Sequence, residues 1–155
     1  MRFLIPILAL TLLPFAVKAE EVRSIEVSPV SEAVLETSPK DSAYAGKRWM
    51  TRKFEIRNVS GTDFFVHGHS LKNVFIDVLT KDPASGEWVS RGYGYCGTGA
   101  GRHRVAPGKA FSVTIHLPEE LADREFVIQF TQYPNDPNSK GVEVKTPALR
   151  MKVAA

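Results

Sequence analysis

The stretch Pro107-Gly-Lys-Ala-Phe-Ser-Val-Thr-Ile-His-Leu117 decides the fold class. A proline–glycine pair turns the chain, and Phe111, Val113, Ile115 and Leu117 then alternate with Ser112, Thr114 and His116. A period of two places the apolar side chains on one face of a strand and the polar ones on the other. Upstream, residues 47–59 set Phe54 and Ile56 against Lys53, Glu55 and Arg57, and end in the turn signal Asn58-Val-Ser-Gly-Thr62. Downstream, residues 124–133 set Phe126, Ile128 and Phe130 on one face. Shorter candidate strands cover residues 20–30, 64–66 and 74–79. Residues 87–90 pair back as a hairpin after the turn Asp82-Pro-Ala-Ser-Gly86. Residues 118–123 read as a single helical turn. In the last candidate strand, residues 142–153, the apolar phase moves from Val142 and Val144 to Leu149, Met151 and Val153 around Pro147. Proline cannot donate to a ladder, so a bulge at an edge or sheet-switching position is expected there.

Seven to eight short strands separated by turns predict an all-β chain, a single antiparallel β-sandwich over residues 20–155. Residues 1–19 read as a cleaved signal peptide: Arg2, an apolar run from Phe3 to Val17, and Val17-Lys18-Ala19, with the cut between Ala19 and Glu20. The run is shorter than the roughly 20 residues a membrane span needs, so no span is expected after cleavage. The protein is therefore expected to be secreted or periplasmic. Cleavage removes Arg2 and Lys18 and no acid, which lowers the net charge from +3 to +1. A nucleic-acid partner, which calls for a basic stripe on the folded domain, loses its support. One cysteine rules out an internal disulfide, and a 136-residue mature chain is large enough for a core without one.

The order of signals resembles immunoglobulin-like domains: an opening strand, a strand ending in Asn58-x-Ser60-Gly61, a Pro-Gly turn before an alternating strand, and a final hairpin. The resemblance covers residues 48–153, lies in rhythm, and extends to small exported bacterial proteins of unassigned function that share this fold. The cysteine pair of antibody domains is absent, although Trp49 and Trp88 are present. No residue roles follow from the resemblance.

The unusual stretch is Arg91-Gly-Tyr-Gly-Tyr-Cys-Gly-Thr-Gly-Ala-Gly-Arg-His-Arg104, which reads as a long loop closing at Pro107-Gly108. Gly92 to Gly97 matches G-x-G-x-x-G, but a strand rather than a helix follows, so the phosphate-binding context is missing. Arg91, Tyr93, Tyr95, Arg102, His103 and Arg104 form the expected binding loop, since arginine forks suit anions and tyrosines suit sugars or protein hot spots. His67 and His69 share one face of an extended backbone. With Cys96 and His103 they make the candidate zinc or copper site, and such a metal ion is the only cofactor the residues suggest. The comparison with cupredoxins fails at the Cys96–His103 spacing and at the missing methionine. Nucleophilic chemistry at Cys96 lacks a recognisable base and orienting group. No G-x-S-x-G, H-E-x-x-H or P-loop occurs. Asn58-Val-Ser60 is a glycosylation sequon in a eukaryotic host.

The expectation is an exported, non-enzymatic binding module that recognises a protein or glycan partner through its loops. The alternative is a periplasmic metal-binding protein, and a further one is a proteinase inhibitor that presents a loop.

Overall fold

The computed structural model describes residues 24–40, 45–92 and 97–151. The proposed signal peptide with Ala19 and Glu20 lies outside the described residues, as do Tyr93, Tyr95 and Cys96. Among the described residues the chain forms eleven strands: β1 (Ile25–Pro29), β2 (Val34–Thr37), β3 (Arg48–Asn58), β4 (Phe64–Ser70), β5 (Asn73–Val74), β6 (Ile76–Lys81), β7 (Trp88–Ser90), β8 (Gly101–Val105), β9 (Ala110–Pro118), β10 (Phe126–Pro134) and β11 (Val142–Lys145). A 3-10 turn, Glu119–Leu121, stands where the helical turn is expected.

All pairings are antiparallel. The smaller sheet is built on β3, which pairs with β9 from Trp49↔Pro118 to Arg57↔Ala110 and with β1 and β2. The larger sheet joins β4, β5, β6, β7, β8, β10 and β11. The β9 alternation holds as read: Phe111, Val113, Ile115 and Leu117 are buried, while Thr114 and His116 are exposed. The inner faces of both sheets meet in one apolar core. Phe54 of the smaller sheet meets Phe126 of the larger edge-on at 5.7 Å, and Phe111 meets Phe130 at 5.2 Å. Each such buried side chain stabilises the fold by about 1.5–3 kcal/mol relative to exposure.

Two turns shape the junction between the sheets. Gly108 takes a φ of 74°, and Lys109 N–H donates to Ala106 O at 2.9 Å; this φ suits glycine behind Pro107. Asn58 is fully buried. Its Nδ2 donates to Thr62 O and to Val105 O, both at 2.8 Å, and its Oδ1 accepts from Ser60 N–H and Oγ. The turn signal is thus a buried polar knot that links the end of β3 to β8. Both hydrogens of the Asn58 amide are committed, which closes the sequon to modification in the folded chain.

The expected phase shift at Pro147 is also present. β11 ends at Lys145, Thr146 Oγ1 accepts from Ile128 N–H at 2.9 Å, and pairing resumes between Leu149 and Phe126. Three strands depart from the sequence reading. Residues 74–79, read as one strand, are divided between β5, paired with β4, and β6, paired with β10. Residues 101–105 are strand β8, paired with β4 from Gly68↔Gly101 to Phe64↔Val105, rather than loop. Residues 34–37 are strand β2, all four exposed, a strand the sequence does not announce.

Candidate functional site

Strand β8 changes the geometry of the expected binding loop. Alternation sends Arg102 and Arg104 to the outer face of the larger sheet, and His103 and Val105 to the inner face. His103 Nε2 donates to Gly68 O at 2.9 Å, so the ring is engaged beneath the sheet. Arg91 is separate from this group: its Nε donates to Thr80 Oγ1 at 2.7 Å beside β6. Of the expected binding residues that are described, only Arg102 and Arg104 share a face.

That face is built from more than arginines. Phe65 lies between Arg104 of β8 and Tyr133 of β10 in the hydrogen-bonding direction, and His67 lies beside Arg102. The Arg102 guanidinium reaches across to stand 3.7 Å from the Tyr133 ring centroid. A cation at that distance over a ring is held by the quadrupole of the ring. Tyr133 in turn lies close against Gly141, where a Cβ would come within 2.9 Å of the ring and 2.5 Å of Thr131 Cγ2. Arg104 Nε donates to Asp63 Oδ2 at 2.6 Å, and this hydrogen bond holds the Arg104 pKa above its ordinary value.

His67 and His69 do share the outer face, as extended backbone requires. Their rings flank Phe75, at 5.0 Å and 5.2 Å between centroids. His103 belongs to the opposite face, so the three histidines are not brought together, and Cys96 lies outside the described residues. Among the described residues, no group of three or more His, Cys, Asp and Glu side chains is placed to share a metal ion. Beyond Phe75 a shallow hollow of about 210 Å³ continues along Asp77, Gln129, Thr131 and Glu143.

Sequence reasoning singled out Arg102 and Arg104 but missed Phe65, Phe75 and Tyr133. The signal was available for Phe65. The run Phe65-x-His67-x-His69 is the outward phase of a strand whose inward phase is Phe64-x-Val66-x-Gly68, so an apolar ring sits where a polar residue is usual. Tyr133 and Phe75 become part of the face only through the register of β10 and β5 against β4.

No family model matches the chain, and no curated protein does. Solved structures do share its shape. The Northeast Structural Genomics Consortium target SoR45 superposes with a TM-score of 0.51 at 15% identity, covering 84% of this chain and 87% of that one. A Bordetella pertussis structural-genomics target carrying the provisional name ApaA gives 0.47 at 16% identity, over 81% of this chain and 88% of that one. At such identity the likeness to SoR45 speaks to the fold alone.

Proposed function

We propose that the chain is an exported, non-enzymatic binding module on an immunoglobulin-like sandwich, recognising a protein partner through the outer face of its larger sheet. The observation that carries this reading is the Arg102 guanidinium stacked on Tyr133, beside half-buried Phe65, His67 and Phe75. Arginine and tyrosine are the residue types in which binding energy concentrates at protein interfaces. Here they stand on paired strands instead of a loop, so little conformational freedom is lost when a partner docks. Arg102 favours a partner that presents carboxylates, because guanidinium forks pair with them in two-point hydrogen bonds, while Arg104 is already paired with Asp63. The signal-peptide reading of residues 1–19 supports export, and two antiparallel sheets on one core support the sandwich architecture.

The test is affinity capture from an envelope or secreted fraction, followed by a titration with the purified partner. Replacing Arg102 and Tyr133 with alanine together is expected to weaken that complex by about 100-fold, the loss of roughly 2.7 kcal/mol at a hot spot. Replacing Arg57 on the other sheet is expected to leave it unchanged. Equal affinity in wild type and the double variant would remove the larger sheet's face from consideration, and a captured glycan rather than a protein would overturn the choice of partner.

A further inference from the structure

The geometry points to self-association through a sheet edge: β2 pairs with β2 of a second copy of this chain, about a two-fold axis at Leu35. β1 and β2 lie end to end along one side of β3, because β9 occupies the other side from Trp49 to Arg57. Among the described strands, β3 is the only one that β2 pairs with. Ser38 N–H donates to Lys47 O at 2.9 Å, and the Ser38–Lys47 pair continues the β2–β3 register. Bonded and non-bonded pairs alternate along an antiparallel ladder. The main-chain groups of Val34 and Glu36 therefore face β3, and those of Leu35 and Thr37 face away from it. All four residues are exposed, and two of them are neighbouring aliphatics, Val34 at 52% and Leu35 at 40%.

The neighbouring part of this edge is blunted, and β2 is not. Val30 N–H donates to Lys53 O at 2.9 Å, so along β1 the alternate residue Pro29 faces outward, and proline has no N–H to offer a further strand. Proline and lysine at an edge are common protections against pairing with another chain. The sequence of β2, Val-Leu-Glu-Thr, holds neither. At an edge of the larger sheet, β8 carries Arg102 and Arg104 in place of exposed aliphatics.

The occupant follows from the symmetry of the pattern. With the axis at Leu35, antiparallel pairing sets Leu35 opposite Leu35 of the partner subunit, and their outward N–H and C=O groups exchange two hydrogen bonds. Leu35 shares the face of its cross-strand neighbour Met50, which is buried, so the two leucines meet at the rim of the core and cover each other's exposed surface. On the other face Val34 stands opposite the partner's Glu36. No like charges oppose each other over residues 34–36. The Thr51 hydroxyl donates to Glu36 Oε2 at 2.9 Å and holds that carboxylate on its own sheet. A strand of an unrelated protein would satisfy the main chain equally. A second copy brings the apolar match at Leu35 and the absence of opposed charges with no further requirement.

Sedimentation equilibrium of the purified protein tests the joint. A pairing this short buries little area, so a weak dimer is expected, with a Kd between about 10 μM and 1 mM. Leu35→Lys sets two cations opposite each other, and Val34→Glu sets a second acid opposite Glu36. Each is expected to raise the Kd about tenfold or more. Both sites are exposed, so Tm should stay close to wild type, and either variant suffices if the other fails to fold. In a Cys96→Ser chain, Leu35→Cys is expected to cross-link to a second copy on mild oxidation, because the Cα atoms of a bonded antiparallel pair stand about 5.5 Å apart, within disulfide range. Val89→Cys, at a position of the larger sheet that is 39% exposed, is expected not to. The protein with Arg102 and Tyr133 replaced by alanine is expected to dimerise like wild type, so this joint and the larger sheet's face stand or fall separately. A protein that stays monomeric to about 1 mM, a dimer indifferent to both β2 substitutions, or cross-linking as fast in the Val89 variant would overturn the pairing.

Discussion

Along β3 the outward row runs Lys53, Glu55 and Arg57, single charges of alternating sign, with Arg57 paired to Glu55. Along β4 the outward row runs Phe65, His67 and His69, all half-buried although they face solvent. Both rows belong to antiparallel strands paired on two sides and backed by the same core. They differ in how closely neighbouring chain crosses them. β3 is flanked by regular ladders, and its outer side chains meet one another and their neighbours through polar pairs such as Arg57–Glu55 and Thr51–Glu36, with no main chain crossing over them among the described residues. On β4, Gly68 lets β5 approach, and Gly141 lets Tyr133 lie flat across the sheet. A sheet face becomes a built surface where a missing Cβ lets a neighbouring strand or ring come close, as Gly68 does for β5 at the edge and Gly141 does for Tyr133 on the outer face.

The largest expected effect breaks this difference at Gly68. A Cβ there would stand 2.4 Å from Asn73 O and 2.7 Å from Val74 Cα, and both are backbone atoms that cannot rotate away. Gly68→Ala is expected to destabilise the fold by about 2–3 kcal/mol. Thermal unfolding should report this as a fall in Tm of about 5–10 °C. The same change of one methyl on β3, Thr51→Ser, is expected to stay within about 0.5 kcal/mol of wild type. A Gly68→Ala protein as stable as wild type would show that β5 yields freely, and the larger sheet's face would lose its claim to rigidity.

Next in size is the knot that joins the two regions. Asn58→Ala removes the donors to Thr62 O and to buried Val105 O and the acceptor for Ser60 N–H. Leaving such groups unpaired is expected to cost about 2 kcal/mol. Urea unfolding should show a lower midpoint with an unchanged slope, since the compactness of the two end states is not altered. A changed slope would mean that the sheets separate before they unfold, which would sharpen the contrast between them into two cooperative units.

The sequence announced the strands that carry their own signal and concealed those defined by a neighbour. Residues 110–118 and 48–58 alternate cleanly because one face is core and the other water, and Asn58-Val-Ser60 is a turn whose side chain makes its own bonds. β8 has one apolar inward residue, Val105, after three glycines between Gly97 and Gly101, so nothing local marks it as a strand. The free edge of β4 does so from over thirty residues away. β2 is exposed at all four residues and leaves no alternation to read. The candidate site suffered the same way. That His67 and His69 share a face follows from spacing alone, whereas the side taken by His103 depends on its register with Val66.

The smallest expected effect concerns a turn that serves one sheet only and faces water, as Asn58 does not. Between β6 and β7, Asp82 Oδ1 accepts from Ser85 N–H at 2.9 Å and from Ala84 N–H at 2.8 Å. The hydrogen bonds from Ser85 and then Ala84 hold its carboxyl below the ordinary aspartate value, outweighing a small opposing effect of burial. A group whose folded pKa is depressed adds stability above its unfolded pKa and loses it as pH falls through the folded value. Wild type should therefore lose stability relative to Asp82→Asn only below about pH 4, where free aspartate takes up its proton. The buried amide of Asn58 does not titrate in this range and should show no such step. A carbon-detected NMR titration would place the Asp82 carboxyl directly. A midpoint at or above the value of free aspartate would mean that the turn does not hold its two N–H donors in solution. The edge hairpin would then be looser than the Asn58 knot by more than its exposure alone implies.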